Sequence, residues 1–297
     1  MKKIIIFLFI ILVLVGAGYY FKNDILGIYQ SASRRITENI QDFKKIDVGN
    51  IITEVSKDFF NPPPLEIRGK PSQAILNKAG IISETNLQRQ NNGLVSFTEN
   101  AQLDAVALAK ANNMFKNQYF EHTSPSGVDP GQLVLSHGYK YIVAGENLIL
   151  GNFASEKELV QAWMDSPGHR ANILNNRYSE IGVAVVKGIY KGESVWMGVQ
   201  EFGLPLSACA EPSITLKNEI GSKKTLLDQL SEQLDLEKNR IENMGSGNSQ
   251  YNNLIDSYNQ LVSQYQSLAS DVKILILQYN AQVNTFNDCV KGSAKPI

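Results

Sequence analysis

The stretch WMDSPGHRANIL, residues 163–174, decides how this chain reads, together with YFEHTSPSG at 119–127 and GENL at 145–148. His122 stands ahead of Thr123-Ser124-Pro125, and His169 follows Ser166-Pro167-Gly168. Proline, glycine and serine in such runs make tight turns, so both imidazoles are expected on loops. Glu146 lies between them in the chain. Two imidazoles and a carboxylate suit Zn²⁺ or a similar divalent ion with water in the open position. The histidines must be neutral to bind, so affinity is expected to fall below about pH 6. The same three groups also read, and more readily, as a buried polar cluster that ties loops together by charge-assisted hydrogen bonds. The third histidine, His137 in SHGYKY, reads as a surface loop residue.

Around these motifs the pattern is compact and mixed. The sequence predicts a helix capped by Ser83 and running to Gln90, ended by Asn91-Asn92-Gly93. Asn100 is expected to cap a second helix, with Leu103, Val106, Ala107, Ala109 and Ala111 on one face through Phe115. A third is expected from Glu156 to Asp165, burying Leu159, Val160 and Trp163. Ile181–Val186 and Val195–Phe202 read as strands joined by a turn at Gly188–Gly192. Trp163 and Trp196 read as core. Helices followed by paired strands point to an α+β domain, layered αβα, over residues 76–206.

Two further regions flank this domain. Lys2 and Lys3 precede an uncharged apolar run from Ile4 to Tyr20. Residues 1–21 are expected to be a single transmembrane anchor with the rest exported, or else a cleaved export signal. Residues 22–75 are expected to form a juxtamembrane stalk, with loose helical spacing at Ile36, Ile40, Phe43, Ile51, Ile52 and Val55. A linker starts at Asn61-Pro62-Pro63-Pro64, because proline ends a helix. From Ser213 to Val290, heptads appear. Tyr251, Tyr258, Tyr265, Val272, Tyr279 and Phe286 occupy one row, and Leu254, Leu261, Leu268 and Leu275 the next. Ile220, Leu227, Leu234 and Ile241 repeat the same period upstream, across Gly245-Ser246-Gly247. This predicts an antiparallel helical hairpin over 207–297 with a coiled-coil seam. Its arms, of about 35 and about 39 residues, are nearly equal at about 1.5 Å per residue. Folding back brings Cys289 to Cys209, so a disulfide is expected, in an oxidising compartment. Free thiols in an intermolecular coiled coil are the alternative.

Composition narrows the function. The 297 residues carry 28 Lys+Arg and 29 Asp+Glu, so no basic excess draws the chain onto nucleic acid. Hydrophobic residues make up 43%, which argues against wholesale disorder. Two cysteines leave no room for a Cys-rich metal site. No H-E-x-x-H, P-loop or G-x-G-x-x-G fingerprint occurs. Gly192-Glu193-Ser194-Val195-Trp196 lacks the second glycine of a nucleophile elbow. Ser124 and Ser166, each beside a proline, read as turn caps rather than nucleophiles.

Taken in order, YFEHTSPSG, GENL, WMDSPGHRANIL, YSEIGVAVV and WMGVQEFG resemble the bacterial branch of the CAP superfamily. That superfamily comprises cysteine-rich secretory, antigen 5 and pathogenesis-related proteins, and its domain is also called SCP. GIISETNLQRQNNGL is similar to that branch's opening helix. The resemblance implies an αβα sandwich with a central antiparallel sheet and a cleft lined by a His/Glu tetrad. His122, Glu146 and His169 match three members. The fourth is usually a Glu soon after the tryptophan; here Asp165 stands in that region as a substitute. The multiple disulfides of animal and plant members are missing. By resemblance, the leading expectation is a non-enzymatic, membrane-anchored, extracytoplasmic protein whose cleft binds a lipid, glycan or protein. A metal-assisted hydrolase acting on the cell envelope is the rival. A third reading makes the helical arms the working part.

Overall fold

The computed structural model describes Val48 and residues 58–67, 73–244 and 250–292. The expected anchor at 1–21 and nearly all of the expected stalk helix lie outside the described residues. Among the described residues, no helix is long and apolar enough to cross a membrane. The chain divides into two compact units: residues 52–210 with 286–297, and residues 1–51 with 211–285.

The first unit is built on one sheet. Its strands are β1 (Asp58–Phe60), β2 (Leu65–Ile67), β3 (Thr98–Glu99), β4 (Tyr141–Gly151), β5 (Glu180–Tyr190) and β6 (Glu193–Pro205). The order is β1-β4-β6-β5-β3, with β2 also on β4. The three long strands are antiparallel, as expected. The short edge strands pair in parallel, so the sheet is mixed. Every residue of β4 is buried. A strand covered on both faces shows no polar–apolar alternation, which is why periodicity did not reveal it. β5 and β6 run further than the sequence suggested. Tyr190 pairs with Glu193, and the turn is only Lys191-Gly192. Both turn residues have positive φ, 50° and 86°, the form whose twist suits a two-residue hairpin.

Helices cover both faces. On one lie α1 (Lys78–Asn91), α4 (Glu156–Asp165) and α5 (Pro167–Ile173). Their Ile81, Leu159, Val160, Trp163 and Ile173 pack with Val143, Ile149, Val183 and Phe202 of the strands. On the other lie α2 (Ala101–Asn117) and α3 (Pro130–Ser136). There Ala107, Ala111 and Met114 meet Leu148, Met197 and Val199, while Val106 and Val134 meet Ala144. This is the αβα layering. α1 begins earlier than expected because Asn77, not Ser83, is its cap, accepting from the Gly80 N–H. Asn100 and Ser155 cap α2 and α4 as read from the sequence. α2 packs closely because residue 182 is glycine: a Cβ there would collide with the backbone of Leu103 and Asp104.

The expected linker is not a simple spacer. β1 and β2 hold it against the edge of β4, and Asn61–Pro64 form the strap between them.

The second unit contains α6 (Ile214–Asn243) and most of α7 (Tyr251–Val290). The Ser213 N–H donates to Gln282 Oε1 at 2.8 Å, so the start of α6 meets the end of α7 and the pair is antiparallel. Ile220, Leu227, Leu234 and Ile241 are buried against Tyr258, Val262, Tyr265, Val272, Ile276, Tyr279 and Val283. The expected leucine row is only half-buried: Leu254, Leu261, Leu268 and Leu275 sit at the edge of the cluster. The seam of α7 has rotated towards Ile255, Val262, Ile276 and Val283.

Cys209 and Cys289 are bonded, with Cα atoms 5.8 Å apart across 80 positions. Closing so long a loop in the unfolded chain is expected to contribute about 2–5 kcal/mol. Urea unfolding of a Cys209→Ser/Cys289→Ser protein should show a loss in that range. A loss under about 1 kcal/mol would contradict a covalent closure of this segment.

Candidate functional site

The site is organised by two consecutive residues of β4. Successive side chains of a strand point to opposite faces. Glu146 therefore faces α2, and Asn147 faces α5. Both are fully buried.

On the α2 side, Glu146 Oε1 lies 2.6 Å from His122 Nδ1. His122 itself sits on the loop after α2, and buried Lys110 secures that loop. The Lys110 Nζ donates to the carbonyl of Glu121 at 2.7 Å and to that of His122. Burial pushes the Lys110 ammonium down, while Glu146 and Glu201 oppose the shift. Glu201 is the cross-strand partner of Glu146 and is fully buried. Neither Glu201 oxygen nor Glu146 Oε2 has a hydrogen-bond donor within the described geometry. Two carboxyls side by side satisfy each other only when one is protonated. Burial first, and then Glu146, push the Glu201 carboxyl well above the ordinary carboxylate range. Of the pair, Glu201 is therefore the carboxyl driven towards its protonated form.

On the α5 side a ladder of amides ties the elements together. Asn147 Nδ2 donates to the His169 carbonyl at 3.1 Å and to Gln200 Oε1 at 3.2 Å. Asn172 Nδ2 donates to Asn147 Oδ1 at 3.0 Å, and Gln200 Nε2 donates to Thr85 Oγ1 at 2.7 Å. His169 Nδ1 lies 2.8 Å from Ser166 Oγ, the Leu148 backbone also acts on the ring, and among the described residues no well-aligned hydrogen bond reaches its buried Nε2. Burial, aided by repulsion from His122, lowers the His169 ring to about 4, so it is neutral near pH 7.

The strap joins the two sides. The His122 Nε2 lies 2.5 Å from the Pro62 carbonyl oxygen. A carbonyl can only accept, so Nε2 carries a hydrogen and points no lone pair at a metal. Pro62 also lies against Gly168, where a Cβ would come within 2.6 Å of the proline's own. The space left beside His122 is a cavity of about 150 Å³ that also reaches Lys110, Asn113, Tyr119 and Ser124.

Of the residues read from sequence, His122 and Glu146 are in contact, and His169 is tied to Asn147, the neighbour of Glu146. Asp165 does not join them. It is exposed at the end of α4 and accepts from Gln161 Nε2 at 2.7 Å. The helix carries Trp163 and Met164 inward, and one residue on, Asp165 turns to solvent. The carboxyl beside Glu146 is Glu201 instead, from a different strand. Among the described residues no group of three His, Cys, Asp or Glu side chains is arranged to hold a metal ion. His122 is spent on Glu146 and Pro62, so these residues do not fit Zn²⁺ in this arrangement.

Sequence reasoning missed Lys110, Glu201, Asn147, Asn172 and Pro62. Two signals were present. Lys110 falls on the same helical face as Val106, Ala107 and Met114, whereas Ala109 is only half-buried. Gln200-Glu201 interrupts an otherwise apolar strand, WMGVQEFG.

Residues 82–202 match the family model described as the cysteine-rich secretory protein family, CAP. Over 126 residues the chain is 37% identical to the uncharacterized protein YkwD of Bacillus subtilis, covering 42% of this chain and 47% of that protein. Over 111 residues it is 32% identical to YlbC, an uncharacterized membrane protein of Bacillus subtilis, covering 37% of this chain and 32% of that one. The chain thus spans about half of one curated relative and about a third of the other. A solved extracellular protein containing a SCP domain from Bacillus anthracis is 28% identical, covering 42% of this chain and 39% of its own, with a TM-score of 0.37.

Three outcomes follow from the charges. An unfolded histidine titrates near 6.5, but folded His169 near 4. Between these values the unfolded chain binds the extra proton, so native stability falls as pH falls from about 6.5 to about 4. His169→Gln should flatten that part of a urea-unfolding pH series; an unchanged slope would contradict a buried neutral ring. For Glu201 the sign is opposite. Its raised folded pKa gives stability that is full below the unfolded value and lost as pH rises through the folded one. Glu201→Gln should therefore be tolerated within about 1 kcal/mol at pH 7 and should remove that high-pH decline. Lys110→Met should cost about 3 kcal/mol or more, because it leaves the Glu121 and His122 carbonyls without their donor and removes the cation beside Glu146 and Glu201. Equal costs for the two variants would contradict these assignments.

Proposed function

We propose, from the premise that this chain is a bacterial member of the CAP superfamily through its central domain, that it is an extracytoplasmic binding protein held at the cell membrane by residues 1–21. The Glu146–His122 cleft takes the ligand or partner, and no turnover is required of it. One observation carries the binding reading: His122 Nε2 is a ring donor presented to a carbonyl oxygen. A polar group fixed in place in this way orients a ligand. Two facts support the compartment. The Cys209–Cys289 bond belongs to an oxidising environment. Relatives include an uncharacterized membrane protein and an extracellular SCP-domain protein. Lipids, glycans and proteins are all admissible ligand classes, and nucleic acid is not, given the net charge of -1.

The hydrolase reading requires Zn²⁺ on His122, Glu146 and His169, and so requires Pro62 to leave His122 first. The experiment that separates the two uses intact cells and the full chain. Added protease should cut the CAP domain without lysis, and the captured ligand should be lost with His122→Ala. Protection of the domain until lysis would overturn the localisation. Metal-dependent turnover of an envelope substrate, abolished by His122→Ala in a folded protein, would overturn the binding reading in favour of the hydrolase.

A further inference from the structure

We infer that the outer edge of β4 is a groove for an extended, proline-containing peptide, and that the chain's own residues 58–67 are its resident ligand. The inference rests on the binding reading of this cleft and names the ligand class.

The geometry is that of strand addition with an interruption. β1 pairs with β4 up to Phe60–Gly145, and β2 resumes at Leu65–Ile149. Between them Asn61–Pro64 pass opposite Glu146, Asn147 and Leu148 without any ladder pairing. Three consecutive prolines have no N–H to offer and favour an extended polyproline conformation. Side chains of the domain take over the recognition there. Asn172 Nδ2 donates to the Phe60 carbonyl at 3.0 Å, and His122 Nε2 to the Pro62 carbonyl at 2.5 Å. Main-chain contacts of this kind supply affinity that does not depend on the peptide's side chains, while pockets supply the choice of sequence.

The pockets are also present, one on each side of the sheet edge. Phe59 packs on the α2–α3 side, edge-on to Tyr141 with ring centroids 6.2 Å apart. Leu65 and Ile67 pack on the opposite face, against the cluster that holds Trp163. Pro62 itself fits against Gly168, and any larger residue at 168 would push it off. A ligand read this way has an aromatic residue, then a proline run whose first carbonyl meets a donor, then an aliphatic residue.

The resident is lightly held. Neither strand exceeds three residues, and none of residues 59–67 is fully buried. The cavity left beside His122, about 150 Å³, falls below the roughly 300 Å³ at which ligand pockets begin. On the strap's side of the ring, a ligand reaches His122 Nε2 by replacing Pro62.

The test uses the full chain and a fluorescein-labelled peptide of residues 57–68, KDFFNPPPLEIR, followed by anisotropy. Two loosened proteins are compared with wild type. One is Phe59→Asp/Leu65→Asp, and the other has Pro62, Pro63 and Pro64 each changed to Gly. At least one that keeps its far-ultraviolet dichroism and its disulfide should bind the peptide about tenfold or more tighter than wild type, whose groove is filled. Adding His122→Ala to that protein should weaken binding by about tenfold. Binding by wild type as tight as by the loosened proteins overturns the inference, as does no binding by a folded loosened protein. Should the chain capture a lipid or glycan through His122 while both loosened proteins ignore the peptide, the peptide groove fails and the binding reading survives. Failure of every capture defeats both.

Discussion

A carboxyl group buried in the central strand sets the terms for this domain. Glu146 lies in the middle of β4 with no exposure, and a lone carboxylate there would cost several kcal/mol. The surrounding structure supplies His122 at one oxygen, the cross-strand carboxyl of Glu201, itself driven towards its neutral form, and the Lys110 ammonium nearby. Each partner brings its element with it. His122 fixes the loop after α2, Lys110 fixes α2 over that loop, and Glu201 fixes the register of β6 on β4. Through the other nitrogen of His122, the same pair reaches the strap and pins Pro62 at the sheet edge.

The neighbour of Glu146 extends this order to the other layer. Strand alternation turns Asn147 to the opposite face, where it binds the His169 carbonyl, Gln200 and Asn172. The two faces of the sandwich are thus tied through two adjacent residues of one strand. Gly145 completes the motif, since a Cβ there would strike the Tyr178 hydroxyl and the Phe60 carbonyl. The sequence Gly-Glu-Asn is small, charged and amide-bearing for three separate reasons, all spatial.

What was legible in the sequence was local. The caps Asn100 and Ser155, the faces of α2 and α4, and the β5–β6 hairpin follow from short-range patterns that tertiary packing leaves intact. The disulfide was legible because arm length alone returns Cys289 to Cys209. The rest depended on pairing at long range. β4 hid because full burial removes alternation. Glu201 became a partner of Glu146 only through strand register, over 55 positions. Lys110 went unread, since lysines on helices generally face solvent. Asp165 was placed by its distance from Trp163 along the chain, whereas the helical turn decides which way it faces. The proline run read as a linker, because nothing local marks proline carbonyls as ligands for a histidine on the far side of a sheet edge.

The account turns on the state of one ring. If His122 is held between Glu146 and Pro62, its Nε2 carries a hydrogen, the cleft presents a donor, and the strap is its occupant. Side-chain ¹H–¹⁵N NMR of the full chain, with His122 assigned through a His122→Gln spectrum, reads this directly. The account predicts a pyrrole-type Nε2 resonance with a slowly exchanging proton, lost on replacing Pro62–Pro64 by glycine. A pyridine-type, unprotonated Nε2 with the strap intact would contradict it.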